Sequence, residues 1–126
     1  MLFDQHLVIV RGGGDLGTGV VARLHRSGFP VVVTELANPL TVRRTVAVSS
    51  AVHDGDITVE GIYARRVETP EYAEQLAREG TIPVLVSEHL PPIRHSVVVD
   101  ARLAKYNLDT RLDDAPLVVA LGPGFT

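Results

Sequence analysis

The chain contains no cysteine, so disulfides, iron–sulfur clusters and thiol chemistry are excluded within it. That absence is also compatible with the cytosol. Aromatic residues make up only 5%, too few for the stacking platform that single-stranded nucleic acid requires. There is no long basic run and the formal net charge is −3, which argues against bulk attraction to DNA or to an anionic membrane. The longest apolar runs, such as 7–10 and 30–33, fall far short of a bilayer span. No secretory pattern precedes the first apolar run. The expectation is a soluble, cytoplasmic domain that engages neither nucleic acid nor membrane.

What is present fits a single domain of 126 residues. A chain of that size buries roughly two-thirds of its unfolded surface, enough for a proper core. Apolar residues make up 45% and valine is conspicuous among them, which favours buried strands over a helical bundle. Residues 7–10 form a short apolar run that ends in Arg11 and three glycines, and it reads as a buried strand. Helical periodicity follows over 16–27, with Gly17, Val20, Val21 and Leu24 on one face and Gly28 as a stop. Residues 30–34 (PVVVT) make a second buried strand, closed by Glu35. This βαβ unit implies parallel strands joined by a right-handed crossover.

Beyond it, Asn38–Pro39 offers a cap for a helix over 40–52, and 53–60 reads as a turn segment around Asp54-Gly55. A strand at 62–67 is followed by a helix that starts at Thr69–Pro70, with Tyr72, Ala73, Leu76 and Ala77 on its apolar side, and ends at Gly80. Strands at 82–86, 97–99 and 117–121 complete the series. The alternation predicts an α/β fold, a Rossmann-like three-layer arrangement with a mostly parallel sheet. Such sheets bind ligands beyond the carboxyl ends of their strands, where strand order reverses. The sequence stops at a second glycine-bearing turn, Gly122-Pro123-Gly124-Phe125-Thr126, with no final helix to cover the sheet. The layer rule therefore predicts a fragment of something longer.

Gly12-Gly13-Gly14-Asp15-Leu16-Gly17 satisfies G-x-G-x-x-G in the context the motif needs, after a strand and opening a helix. Gly12 permits the tight turn, Gly14 admits a pyrophosphate close to the backbone, and Gly17 allows close packing of the helix. Amides at the helix start, aided by its dipole, favour an anion. Glu35 stands eighteen residues after Gly17, where the fingerprint expects an acid on a ribose hydroxyl. The bland alternative is a turn used only for packing, with Glu35 a solvated strand-end acid. Asp15 would repel a phosphate and so is read as a helix cap pointing away, or as a ligand for a hydroxyl or a metal–phosphate complex. Arg11 either offsets that charge, reaches the anion, or is a surface arginine. Arg43 and Arg44 are placed to clamp a phosphate, a 2′-phosphate being opposed by Glu35, or else form a solvated basic face.

No catalytic set emerges and no metal site is read. His6, His25, His53, His89 and His95 lack metal-ligand spacing. Ser87-Glu88-His89 is adjacent in sequence only, which does not make a triad. Asp100, followed by Arg102 and Lys105, suggests a local ion pair.

Several strings carry a resemblance. They are Val10-Arg11-Gly12-Gly13-Gly14-Asp15-Leu16-Gly17-Thr18-Gly19, Leu24-His25-Arg26-Ser27-Gly28-Phe29, Pro39-Leu40-Thr41-Val42-Arg43-Arg44-Thr45-Val46, Val99-Asp100-Ala101-Arg102-Leu103-Ala104-Lys105 and Ala120-Leu121-Gly122-Pro123-Gly124-Phe125. Together they resemble the YqeB-type accessory proteins of the selenium-dependent molybdenum hydroxylase system. The resemblance implies a role in maturing a molybdenum hydroxylase, a theme shared with the xanthine dehydrogenase accessory factors. It also implies that this chain is an amino-terminal portion; on the residue reading above, 1–126 form one Rossmann-like nucleotide-binding domain. Arg11 to Gly17, Arg43, Arg44 and the Gly122–Gly124 turn carry over as pattern positions without roles.

Three functions compete. The first is an accessory factor that binds NAD(P), another nucleotide or a molybdopterin-type cofactor and partners a molybdenum hydroxylase. The second is an NAD(P)-dependent oxidoreductase domain. The third is a non-catalytic docking domain. Whether the chain is an enzyme, and whether it forms a homo-oligomer, the sequence leaves open.

Overall fold

β-Branched side chains are stiff at χ1 and pack well on a pleated surface, and runs of valine build the centre of this protein. The computed structural model describes residues 5–36, 47–59, 61–102 and 115–121. The elements in chain order are β1 (Val8–Arg11), α1 (Asp15–Arg26), β2 (Val31–Glu35), a 3-10 turn (Val48–Ser50) running into α2 (Ala51–Asp54), β3 (Asp56–Val59), β4 (Ile62–Val67), α3 (Pro70–Arg78), β5 (Ile82–Val86), β6 (Val97–Asp100) and β7 (Leu117–Ala120).

The described strands form one sheet in the order β3-β4-β5-β2-β1-β6-β7. Every neighbouring pair is parallel except β3–β4. The fold is therefore α/β with a mostly parallel sheet. β1 is an interior strand, and the chain departs from it in both directions, first to β2 on one side and later to β6 on the other.

Alternation along the strands sorts the core onto two faces. Val8 and Val10 of β1 and Val31 and Val33 of β2 pack with Val21 and Ala22 of α1 and with Val48, Ala51 and Val52. Leu7, Ile9 and Val32 point the other way, toward Ala73, Leu76 and Ala77 of α3 and toward Ile93. Helices thus cover both faces. A right-handed crossover explains which helix goes where. The β1→β2 step and the β4→β5 step run in opposite directions across the sheet, so α1 and α3 must lie on opposite faces. Among the described residues no helix is long and apolar enough to cross a membrane.

Two segments differ from the sequence expectation. Residues 53–60, read as a turn, contain the end of α2 and the whole of β3, which pairs antiparallel with β4 in a hairpin. β3 is an edge strand with only Val59 fully buried, so it carries too little apolar signal to stand out. The helix expected over 40–52 lies partly outside the described residues. Its described end is the 3-10 turn and the short α2, which runs on to Asp54 and stops at Gly55 with φ +87°.

α3 shows a complete start signal. Thr69 is the N-cap and its hydroxyl accepts from Tyr72 N–H at 3.2 Å, with Pro70 in the first turn. Thr69→Ala should lower stability by about 1 kcal/mol, read as a shifted urea midpoint with unchanged slope.

Candidate functional site

The glycine turn joins the carboxyl end of β1 to the amino end of α1. It is pinned from three sides. Gly12 N–H donates to Thr34 O at 2.9 Å, which prolongs the β1–β2 ladder. Gly13 N–H donates to Glu35 Oε2 at 2.8 Å. Gly13 O accepts from Ser49 N–H at 2.8 Å and from the Thr18 hydroxyl at 3.2 Å. The same hydroxyl oxygen accepts from Val48 N–H at 3.0 Å. Thr18 thus ties the first turn of α1 to the segment that begins at Ala47.

Each glycine has a different reason to lack a side chain. Gly12 has φ +96°, and an added β-carbon would lie 3.2 Å from the Ala101 carbonyl oxygen. At Gly13 a β-carbon would lie 2.9 Å from Val48 Cγ2 and 3.1 Å from Ser49 N. At Gly17 it would collide with the Gly12 carbonyl oxygen. The close approach at Gly17 is thus to the turn's own backbone. Nothing lies within 4 Å of the β-carbon position at Gly14.

Gly14 is also the N-cap of α1, and as a glycine it supplies no side-chain cap. This corrects the reading of Asp15 as the cap, because Asp15 occupies the first helical position; its side chain lies outside the described structure. Thr18 N–H, on Gly14 O at 2.8 Å, closes the first turn. The amides that precede it, at Leu16 and Gly17, have no intrahelical acceptor by construction.

Charged residues gather around this end of the sheet. Glu35 Oε1 accepts from Leu36 N–H at 2.9 Å while Oε2 holds Gly13. A carboxylate has about four acceptor sites, so Glu35 keeps capacity for a hydroxyl. Arg11 is not a surface arginine: it is 2% exposed, and its guanidinium donates to Glu88 O at 3.0 Å. Asp100 is fully buried and receives Arg102 Nε at 2.9 Å and Nη2 at 2.5 Å, a two-pronged ion pair. That is the local pair the sequence suggested. Arg11, Gly12, Thr34, Glu35, Ser87, Glu88 and Arg102 surround a cleft of about 20 Å³, room for about one water molecule.

The structure therefore brings Arg11, Gly12, Gly13, Gly14, Leu16, Gly17 and Glu35 to one end of the sheet. Arg43, Arg44 and the Gly122–Gly124 turn lie outside the described residues. Sequence reasoning missed Thr18, Val48 and Ser49. Their only signal is a small polar residue one step after Gly17 and a Val-Ser pair far along the chain, and no spacing rule connects them.

The chain is 47% identical over 125 residues to a protein named uncharacterized protein YqeB from Escherichia coli (strain K12). It is YqeB-like. The match covers 97% of this chain and 23% of that relative, so the chain spans about a quarter of the relative's length. No family model matches, and no solved structure matches.

The geometry predicts a sharp contrast between two glycines. Gly17→Ala should cost about 3 kcal/mol or more, because backbone cannot yield as a flexible side chain does. Gly14→Ala should cost about 1 kcal/mol at most, the difference between glycine and alanine at an N-cap. Equal losses in chemical denaturation would contradict this account of the turn.

Proposed function

We propose that this chain is the Rossmann-type nucleotide-binding domain of a YqeB-like accessory factor, cytoplasmic and engaged in maturing a molybdenum hydroxylase or its pterin cofactor. The observation that carries the reading is the open space at Gly14. Gly14 is the N-cap of α1, at the carboxyl end of the strand where sheet order reverses. An oxyanion there would meet backbone amides and the positive end of the helix dipole. The fit of a glycine fingerprint with an acid closing β2 adds weight.

The charges nearby set the ligand class. Glu35 stands against the turn through Gly13, so a 2′-phosphate would meet a carboxylate. Free ribose hydroxyls would instead find an acceptor. The favoured ligand is NAD or another nucleotide with an unmodified ribose, and a pterin dinucleotide belongs to the same chemical class. Arg11 takes no direct part, because it is buried against Glu88 O.

A docking role has one observation in its favour. Leu16, Gly19, Val20 and Leu24 of α1 line an apolar groove with Arg23 at its rim, and Leu16 is 44% exposed. Copurification of a molybdenum hydroxylase with the parent, but not with a Leu16→Glu variant, would favour that reading.

Calorimetry with NAD, NADP, CTP and GTP tests the nucleotide proposal. NAD should bind more tightly than NADP. Gly14→Val should weaken binding at least about tenfold, equivalent to about 1.4 kcal/mol, with an unchanged circular dichroism spectrum. Failure of all four ligands, or equal binding by Gly14→Val, would overturn it. Turnover of NAD(P)H would point to the oxidoreductase alternative.

A further inference from the structure

At the amino ends of the strands, the described residues gather basic side chains. β1 and β6 are parallel neighbours, so the residues that precede them meet: Gln5 and His6 before β1, and Arg94, His95 and Ser96 before β6. Ser96 N–H donates to Leu7 O at 2.9 Å, which fixes the two approaches side by side. α3 links the parallel strands β4 and β5 and so runs back against them. Its last turn, which carries Arg78, arrives at the same end of the strands. These six residues line a cavity of about 660 Å³.

Among the described residues, two guanidinium groups, two imidazoles, a hydroxyl and an amide line this cavity, and no carboxylate does. The nearest acid with a recorded contact is Glu74, one helical turn back, 3.9 Å from Arg78. The chain as a whole carries −3, so the cluster runs against the overall charge. The imidazoles are held in place. His95 Nδ1 donates to Ile93 O at 2.7 Å, and His6 Nδ1 lies 3.4 Å from Ser96 Oγ, which itself donates to Gln5 O at 3.3 Å. Arg94 is exposed, on a loop whose neighbours Pro91 and Ile93 are buried.

We propose that this cavity binds a small molecule bearing a dianionic phosphate group. Guanidinium groups match phosphate oxygens in a bidentate way, and two of them balance two negative charges. A metal ion is disfavoured by the same arginines, and no group of three metal-ligating side chains occurs among the described residues. The volume lies within the range of small-molecule pockets and exceeds what a bare phosphate fills, so the ligand is a phosphorylated metabolite rather than the free ion. This site is separate from the glycine turn, at the other end of the strands, and it stands or falls independently of the nucleotide reading.

Titration of the whole chain with pyrophosphate, followed by NMR, tests the proposal. The ring signals of His6 and His95 should shift, whether or not the amides of Gly12 to Gly17 also respond. Arg94→Gln should weaken binding about tenfold, the effect of losing one charged hydrogen-bonding group. Glu74→Gln should tighten it, because Arg78 loses a competing carboxylate. Affinity should fall as salt rises. Citrate, with charge but no phosphate, should bind more weakly. The proposal is overturned if Arg94→Gln binds like the parent with its thermal midpoint unchanged, if the shifts fall on the glycine turn alone, or if citrate binds as tightly as pyrophosphate.

Discussion

The approach of α1 to the Gly12 carbonyl governs the architecture around it. A helix that begins this close to a strand end can do so only if its facing residue is glycine, and that residue is Gly17. Once the helix is seated, Gly13 is enclosed between β2 and the segment starting at Ala47. Its amide goes to Glu35, and its carbonyl is shared by Ser49 and Thr18. The turn is therefore a joint where four parts of the chain meet: β1, the end of β2, α1 and the 47–50 segment. Of the glycines at Gly12, Gly13, Gly14 and Gly17, only Gly14 has nothing near its β-carbon position.

The same joint explains why Glu35 plays a structural part as well as a candidate binding part. A carboxylate on a backbone amide is a charge-assisted contact, stronger than a neutral one. It orients the acid and orders the turn before any ligand arrives. A ligand that bonds the remaining lone pairs of Glu35 then meets a group already in place, which lowers the cost of ordering on binding.

Much of this was legible in the sequence, and the reason is the valine-rich strand pattern. The first unit, β1 through β2, and the later β4, α3 and β5 have apolar runs bounded by glycine or proline, and the observed bounds agree to within a residue or two. The hairpin strand β3 was not legible. Asp56–Val59 has four residues, alternates exposed and inward positions, and sits at the border of the sheet, so its pattern is masked by the Asp54-Gly55 turn signal. At the candidate site, the glycines and Glu35 could be read from spacing. Thr18, Val48 and Ser49 could not, because their roles arise from a contact between segments thirty residues apart in sequence. Burial of Arg11 was equally hidden: a charged residue at a strand end gives no sign that its guanidinium will turn inward to the Glu88 carbonyl.

The position of β1 bears on how the molecule assembles. Its two neighbours, β2 and β6, come from widely separated parts of the chain, and Val8 lies opposite both Val31 and Val97. Until the second neighbour has been synthesised, the strand bearing the glycine joint is an open border with unpaired amides and carbonyls. Closing that border requires a long loop, and long-range pairing of this kind is slow. A nascent chain halted before residue 97 would therefore expose one side of a strand that ends up buried, and chaperone protection would matter most during that interval.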